Sequence, residues 1–361
     1  MPSLRESYLA LQITMQIKEH ASLKAFHTFG IEQTCSYLAI VDSIDDVISL
    51  YQNPAFQSLP KLFLGKGSNV LFTEHFDGLV IVNRLLGKSV SETHEDYLLH
   101  VQGGEDWPSL VAWCVAQGMG GIENLALIPG CAGSAPIQNI GAYGVELKDL
   151  CSYVDVLDLT TLKTRRMSAE DCEFGYRDSV FKHDLYEKCF VTAIGLKLPK
   201  RWTPKNQYGP LQNIPENELS PNAIFERVCQ VRMEKLPDPA KVGNAGSFFK
   251  NPVISQDYYD QLIRKHSDMV AYPANEGMKV AAGWLIDQCG LKGISVNGAQ
   301  VNPLQALVLT NVDNCSADDV VALASLVKRA VWDKYQIELE HEVRFMNRQG
   351  ETNLAKIEAA Q

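Results

Sequence analysis

The feature that most constrains this fold is an uncharged, glycine-rich stretch over residues 128–144, IPGCAGSAPIQNIGAYG. Its four glycines and three alanines leave little side-chain bulk, so its backbone can approach another surface closely. A stretch of this kind makes a poor surface loop. Two interpretations are equally compatible with it: a wall against a flat, extended ligand, or a set of tightly packed turns in the core.

A second glycine loop, Gly65-Lys66-Gly67-Ser68-Asn69, follows a short apolar run at 62–64. Backbone amides in that position commonly hold phosphates. The loop is not a dinucleotide-binding fingerprint, because Val70 stands where the third glycine belongs, and no Gly-Lys-Ser/Thr closes it as in a P-loop. Taken by itself, it is best interpreted as an ordinary turn after a strand.

The bulk composition narrows the class of protein. A chain of 361 residues predicts two or three domains, and 21% charged residues is typical of globular proteins. The net charge of −10 disfavours general binding to nucleic acids or anionic membranes, which requires a basic surface. It leaves room for a local basic cluster that binds an anionic small molecule.

Cysteine usage indicates a reducing compartment. The nine cysteines are odd in number and form no CxxC motif, so we expect neither a disulfide framework nor structural zinc. Arg5, Glu6, Lys18 and Glu19 interrupt the N-terminal segment, so no signal peptide is predicted. No apolar run of about 18 residues occurs, which predicts no transmembrane helix and a cytoplasmic protein.

Apolar periodicity and capping residues predict a mixed α+β fold. Ser43 with Asp46, and Ser316 with Asp319, have the spacing of capping boxes at helix starts. Predicted helices cover 43–52, 108–117, 279–289 and 318–335, and predicted strands cover 62–64, 79–82, 153–159, 189–198 and 337–345. Seven of the sixteen prolines fall between residues 199 and 239, which predicts a domain boundary or a long functional loop.

The last predicted strand, 337–345, alternates apolar and charged residues. Period two places three glutamates and Arg344 on one face, and mainly apolar residues on the other. The charged face is consistent either with solvent exposure or with the lining of a polar cleft. His341-Glu342 lacks the second histidine of a zinc-protease helix, so no metal site is expected.

Two further segments hold polar groups in settings that suit chemistry. Ser247, in 244–252, lies between small residues and two phenylalanines, where a hydroxyl can donate or relay a proton; a turn serine is the commoner occurrence. No GxSxG motif supports serine-hydrolase chemistry. Arg177, in 174–179, suits a bidentate carboxylate clamp, or else pairs with the adjacent Asp178.

A loose basic set occurs among prolines and glycines in the second half of the chain. It is compatible with loops around an anionic ligand, and also with scattered surface charges. Its members are Arg232, Lys235, Lys241, Lys250, Lys279 and Lys292.

At these motifs the sequence resembles the UDP-N-acetylenolpyruvoylglucosamine reductase (MurB) family. The matches occur in the same order at 65–69, 128–144, 174–179 and 244–252, with support at 208–209, 235–239 and 342–345. The Tyr-Gly pair at 208–209 and the long middle segment resemble the type I subclass, which closes a tyrosine loop over the substrate. Ser134 departs from the commoner family pattern, which has a glycine there.

The resemblance implies an α+β, three-domain flavoprotein. Two domains would hold FAD in the manner of the vanillyl-alcohol-oxidase (PCMH-type) flavoproteins, and the third would cover the substrate. The implied divisions are an N-terminal extension (1–20), two FAD-binding subdomains (21–85 and 86–236, the second with the tyrosine loop), a substrate-binding domain (237–337), and a C-terminal strand and tail returning to the FAD-binding region (338–361).

The resemblance also implies the site residues. The catalytic set would be Arg177, Ser247 and Glu342. The FAD-binding set would be Gly65, Lys66, Gly67, Ser68, Asn69, Ile128, Pro129, Gly130, Ser134, Gln138, Asn139, Gly141, Ala142 and Tyr143. The substrate-binding set would be Tyr208, Arg232, Lys235, Asn251, Lys292 and Gln305.

The implied reaction is NADPH-dependent reduction of UDP-N-acetylglucosamine enolpyruvate to UDP-N-acetylmuramate through FAD. Hydride would come from N5 of the reduced flavin and a proton from Ser247, with Arg177 and Glu342 stabilising the substrate carboxylate. Glu342 helps there as a protonated donor, so we expect its pKa to be raised. The reaction belongs to peptidoglycan synthesis, and so to cell-wall biogenesis, cell shape, cell division and the cell cycle.

The expected partners are the UDP-sugar and NADPH, without nucleic acid or membrane, and the expected state is a monomer. Two alternatives remain open at this point. One is another flavoenzyme on the same fold, such as an alcohol or sugar oxidase. The other is a nucleotide-sugar binding protein without catalysis, which the presence of Arg177, Ser247 and Glu342 disfavours.

Overall fold

A computed structural model gives the fold and describes residues 15–360. The strands in this range are β1 (Ile17–Ser22), β2 (Thr34–Val41), β3 (Lys61–Leu64), β4 (Val70–Phe72), β5 (Phe76–Asn83), β6 (Lys88–Glu92), β7 (Asp96–Gln102), β8 (Gly141–Ala142), β9 (Val145–Glu146), β10 (Cys151–Asp158), β11 (Thr164–Ser168), β12 (Cys189–Pro199), β13 (Gly243–Ser247), β14 (Val253–Ile254), β15 (Ala271–Ala274), β16 (Gly277–Val280), β17 (Ser295–Val296), β18 (Ala299–Val301), β19 (Val308–Asn311), β20 (Arg344–Met346) and β21 (Glu351–Thr352). The helices are α1 (Ile44–Gln52), α2 (Trp107–Ala116), α3 (Pro221–Lys235), α4 (Gln256–Ile263), α5 (Ala282–Gln288), α6 (Ala317–Tyr335) and α7 (Leu354–Ala360).

The first sheet has the order β1-β2-β5-β3, with β2, β5 and β3 parallel and β1 antiparallel to β2. The chain crosses between β2 and β3 through α1, as parallel strands require. The predicted capping box of Ser43 and Asp46 starts this helix. Val47 and Leu50 of α1 are buried against the sheet, each contributing about 1.5–3 kcal/mol to folding.

The predicted N-terminal extension, 1–20, divides in two. Residues 1–14 lie outside the described range. β1 begins at Ile17, and its backbone pairs with β2, so residues 17–20 belong to the first sheet.

The second sheet, β11-β10-β12-β7-β6, is antiparallel throughout. The predicted strands at 153–159 and 189–198 are confirmed as β10 and β12. The predicted helix at 108–117 is confirmed as α2, which Asp106 caps by accepting a hydrogen bond from the Ser109 N–H. Its Trp107 is buried in the core beneath this sheet.

The proline-rich window at 199–239 contains more regular structure than predicted. Within it, the 15-residue helix α3 begins at Pro221, with Ser220 as its cap. Proline is tolerated in the first helical turn, because the N–H it lacks would have no partner there. The next proline is Pro237, beyond the helix end, so the helix runs uninterrupted.

The third region carries two small sheets, β13-β19-β18-β17 and β14-β16-β15, with α4, α5 and α6 around them. The predicted helix at 318–335 is confirmed as α6, with the expected Ser316–Asp319 capping box. The predicted helix at 279–289 starts three residues late as α5, because Lys279 and Val280 pair within β16 instead.

The predicted C-terminal strand at 337–345 is wrong in its extent but right in its faces. Only β20, from Arg344, is a paired strand; it joins β4 in parallel and so returns the chain to the first region. Ile337, Leu339 and Val343 are nevertheless buried. Upstream, the segment meets residues 248–250 through only an isolated bridge, and Pro252 has no N–H with which to extend that ladder.

Candidate active site

A cleft of about 730 Å³ lies where the sheets of the first and second regions meet residues 245–250 and the C-terminal segment. Its walls come from 61–70, 128–141, 181–191, 245–250 and 340–344, and from Arg177 and Arg232. Its size falls in the range of ligand pockets. The two glycine-rich segments and the charged C-terminal face are therefore brought together, although they are far apart in sequence.

The loop at 65–69 follows β3, at the carboxyl end of a parallel strand. Gly65 faces the glycine-rich stretch so closely that a methyl group built on it would stand 2.4 Å from Cys131 Sγ. Ser68 Oγ donates to Pro129 O at 3.0 Å, and Asn69 Nδ2 donates to Gln138 Oε1 at 3.0 Å. The turns of the 128–144 stretch thus pack tightly, as one interpretation predicted, and several of its residues also line the cleft.

Most of the FAD-binding candidates line this cleft, and four do not. Those that line it are Gly65, Lys66, Gly67, Ser68, Asn69, Ile128, Pro129, Ser134, Gln138 and Gly141. Gly130, Asn139, Ala142 and Tyr143 are outside the lining. Asn139 is fully buried, and its side chain donates to Glu146 Oε2 at 3.0 Å and to Gly175 O at 2.8 Å, so it supports the turn that carries Arg177.

Arg177 and Glu342 face each other in the cleft. Arg177 Nε donates to Glu342 Oε1 at 3.1 Å, and Nη2 donates to Gly141 O at 2.9 Å. Arg177 has a left-handed backbone with φ of 54°, at the tight turn closed between Gly175 and Asp178. A non-glycine residue rarely adopts that conformation, which here aims the guanidinium across the cleft.

Burial raises the pKa of the Glu342 carboxyl, against the opposing effects of Arg177, Lys182 and Lys250. The expected direction of that pKa is therefore confirmed. Two hydrogen bonds fix the backbone of Glu342. Its N–H donates to Phe248 O at 2.8 Å, and its carbonyl oxygen accepts from Asn69 Nδ2 at 3.2 Å.

Ser247 is exposed at the cleft wall, at the end of β13. A bulge between Asn244 and Ser247 turns the strand at Gly246, whose φ is 74°. Phe248 and Phe249, which follow, are buried in the core and anchor the strand end. The hydroxyl is thus presented on the same cleft as the Arg177–Glu342 pair.

The substrate-binding candidates are only partly brought together. Arg232 lines the cleft, and its Nε is buried without a hydrogen-bond partner among residues 15–360. Tyr208 lies outside the lining, 45% exposed, with its ring 6.1 Å from that of Tyr272 and 6.3 Å from that of Tyr143. A buried, unpaired guanidinium nitrogen in a cleft wall suits an anionic ligand.

The other four substrate-binding candidates also lie outside the lining. Asn251 Oδ1 accepts from the Ala282 N–H at 2.9 Å, and Gln305 Oε1 accepts from the Leu307 N–H at 3.4 Å. Lys292 is paired with Asp287 at 2.7 Å, and Lys235 is exposed in the last turn of α3. Sequence reasoning overlooked Lys182, which lines the cleft; its position three residues after the 174–179 motif was the available signal.

Residues 35–165 match the family model described as FAD binding domain, and residues 238–346 match that of the UDP-N-acetylenolpyruvoylglucosamine reductase C-terminal domain. The first match and the α+β fold define a flavoprotein that binds FAD, as expected. The cleft fits that cofactor, since it is large and has glycine-rich backbone walls. No cluster of metal ligands occurs within residues 15–360, and no helix there is long and apolar enough to cross a membrane.

Relatives extend the match to nearly the whole chain. A UDP-N-acetylenolpyruvoylglucosamine reductase of Vibrio parahaemolyticus serotype O3:K6 is 99% identical over 347 residues, covering 96% of this chain and 100% of the relative. One from Vibrio vulnificus (strain YJ016) is 64% identical, covering 95% and 99%. The chain belongs to the UDP-N-acetylenolpyruvoylglucosamine reductase family, and it is an FAD-dependent oxidoreductase.

A solved structure agrees in fold. The UDP-N-acetylenolpyruvylglucosamine reductase (MurB) of Thermus caldophilus superposes with a TM-score of 0.64 at 24% identity, covering 92% of this chain and 99% of that one. At that identity the likeness shows the fold alone.

Proposed function

We propose that this chain reduces UDP-N-acetylglucosamine enolpyruvate to UDP-N-acetylmuramate with NADPH, the UDP-N-acetylmuramate dehydrogenase reaction of cytoplasmic peptidoglycan precursor synthesis. The observation that carries the proposal is the Arg177–Glu342 pair, 3.1 Å apart in the cleft that the FAD-binding loops line. Bound FAD supplies the hydride chemistry, taking electrons from NADPH and passing them to the enol ether.

Arg177 and Glu342 would bind the carboxylate of the enolpyruvyl group. Two guanidinium nitrogens of Arg177 are engaged by Glu342 and Gly141, so further N–H donors remain for a substrate. Hydride would add to the terminal carbon of the enol ether, so that negative charge develops on the carbon that bears the carboxylate and spreads into it. These donors would therefore stabilise the transition state more than the ground state. Glu342 contributes as a neutral donor, which its raised pKa favours.

Ser247 would give a proton to the carbanion that hydride addition leaves. A serine hydroxyl is a weak acid, but a carbanion is a strong base, so the transfer is feasible. Its support is positional: Ser247 and the Arg177–Glu342 pair line one cleft.

The UDP group would meet Arg232 first, because this residue lines the cleft with an unpaired nitrogen. Tyr208, Lys235, Asn251, Lys292 and Gln305 would reach the substrate only after the tyrosine loop and the third region close over it. We expect bound substrate, and not NADPH alone, to reduce the solvent exposure of the Tyr208 side chain.

Ser247→Ala separates the two half-reactions. Reduction of bound FAD by NADPH should remain within about two-fold of wild type, since it needs no proton from Ser247. Turnover of the enol ether should fall on the order of 10²–10⁴-fold, the usual contribution of a general acid. Stopped-flow absorbance of the flavin follows both steps, and mass spectrometry identifies the product.

Ser91→Ala, an exposed serine in β6, is the matched control and should leave both rates unchanged. Equal loss of both half-reactions in Ser247→Ala would make this serine structural. A wild-type enzyme that forms no UDP-N-acetylmuramate from the enol ether and NADPH would refute the proposed function itself.

A further inference from the structure

Lys182 is a cleft residue to which the proposed reaction assigns no role. It ends the short 3-10 helix Val180–Lys182, five residues after Arg177. Its Nζ donates to the backbone carbonyl oxygen of Arg177 at 3.0 Å. Burial lowers the pKa of this lysine, helped by Lys250 and opposed by Asp178, Glu342 and Glu351. A half-buried ammonium group is costly to place there unless it is paired with a hydrogen-bond acceptor.

The carbonyl that Lys182 holds belongs to a residue in an unfavourable conformation. A left-handed backbone is unfavourable at a residue with a side chain, and Arg177 has a φ of 54°. The turn is fastened at one end by Asn139, which donates to Gly175 O at 2.8 Å. Lys182 fastens it at the other end, on Arg177 itself. Two side-chain hydrogen bonds thus fix the conformation that aims the guanidinium at Glu342.

The charge of Lys182 also reaches Glu342. Three cationic side chains act on that buried carboxyl, namely Arg177, Lys182 and Lys250. Lys250 is also engaged by Glu340, outside the pair. Lys182 therefore adds both a hydrogen bond behind the catalytic pair and a positive charge beside it.

We propose that Lys182 is a positioning residue that holds Arg177 against Glu342 and tunes the charge of that pair during reduction of the enol ether. This inference rests on the proposed function. The alternative is a structural role, in which Lys182 only ends its helix and stabilises the fold.

Lys182→Met removes the hydrogen bond and the charge while keeping the side chain's length. Reduction of FAD by NADPH should stay within about two-fold of wild type. Reoxidation of the reduced flavin by the enol ether should slow on the order of 10- to 100-fold, the effect of small misplacement of a catalytic group. Lys182→Arg keeps a charged donor and should recover most of that loss.

The pH profile gives a readout that a structural role would not move. Activity that needs neutral Glu342 falls as pH rises through its pKa. Removal of the Lys182 cation leaves only Arg177 and Lys250 to oppose the effect of burial, so the falling limb should move to higher pH in Lys182→Met. Glu342→Gln should abolish that limb.

The experiment uses FAD-loaded wild type, Lys182→Met, Lys182→Arg, and the control Lys197→Met, whose lysine pairs with Asp96 away from the cleft. FAD content and Tm are measured for each. A Lys182→Met enzyme with wild-type reoxidation and an unshifted limb would overturn the inference, as would parallel loss of FAD, stability and both half-reactions in Lys182→Met and Lys182→Arg. Failure of wild type to pass electrons to the enol ether would instead overturn the proposed function on which this inference rests.

Discussion

Gly65→Ala tests whether the glycine-rich segments are required for protein packing or for ligand approach. The Gly65 backbone does not have a positive φ, so alanine introduces no backbone strain. Its methyl group would stand 2.4 Å from Cys131 Sγ, and its next neighbours would be Cys131 Cβ at 3.7 Å and Ser134 Cβ at 3.9 Å. The clash is therefore with one sulfur atom, and overpacking of this kind costs about 1–3 kcal/mol.

Cys131→Ala removes that sulfur atom. In the double variant the new methyl group makes only ordinary contacts, so the two substitutions should not be additive. We expect a coupling free energy of about 1–3 kcal/mol, the size of the relieved clash. The corresponding change in FAD affinity is about 5- to 150-fold, because the 65–69 loop and the 128–144 stretch are displaced together.

The assay is FAD dissociation, followed by recovery of flavin fluorescence, with Tm measured alongside for wild type, both single variants and the double variant. Gly65→Ala should weaken FAD binding strongly in the wild-type background and weakly in the Cys131→Ala background. An equal effect of Gly65→Ala in both backgrounds would refute the packing account. It would show that the glycine is needed where the backbone meets the ligand.

Three further outcomes are expected. Because burial raises the folded-state pKa of Glu342, the stability that this acid contributes is present at low pH and lost as pH rises through that pKa. The Tm of Glu342→Gln, relative to the Tm of wild type, should therefore increase as pH is raised from 4.5 to neutrality. Arg177→Lys keeps the charge but loses the two guanidinium hydrogen bonds to Glu342 and Gly141. The stopped-flow rate of flavin reoxidation by the enol ether should therefore fall about 10²-fold or more, while reduction by NADPH persists. Asn124→Ala leaves the carbonyls of Tyr143 and Lys205 without their shared donor, and denaturant unfolding should show a loss of about 1–3 kcal/mol.

Elements with strong local signals could be predicted from the sequence. The capping boxes at Ser43 and Ser316 mark helix starts because the side chain and the backbone it caps are three residues apart. The buried run of β12 is likewise readable, since it is a short, largely apolar segment bounded by turns. Such features depend on neighbours along the chain and need no knowledge of the fold.

Features that depend on distant partners could not be predicted from local patterns. Arg177 and Glu342 are 165 residues apart, and only the family resemblance linked them. The alternation at 337–345 identified the buried side chains but not how little of the segment is paired. Pro252, in the facing segment, has no N–H with which to extend the isolated bridge at His341. The start of α3 was hidden because Pro221 is compatible both with a loop and with a first helical turn.

The residues of the candidate site likewise divide into those predictable from local composition and those whose position depends on tertiary packing. The cleft-lining loops at 65–69 and 128–141 have a composition that sets them apart, and most of their predicted residues line the cleft. The basic set had no such signature: Arg232 and Lys250 line the cleft, whereas Lys292 forms an ion pair outside it. A lysine's charge is visible in the sequence, but its burial is set by tertiary packing.

An anaerobic two-step titration of the FAD-loaded protein tests the central claim most directly, with the visible absorbance of the flavin as the readout. NADPH is added until the yellow colour bleaches, and UDP-N-acetylglucosamine enolpyruvate is then added without oxygen. We predict that the colour returns in proportion to the enol ether added, with formation of UDP-N-acetylmuramate. A flavin that stays bleached until air is admitted would contradict the proposed acceptor and favour an oxidase.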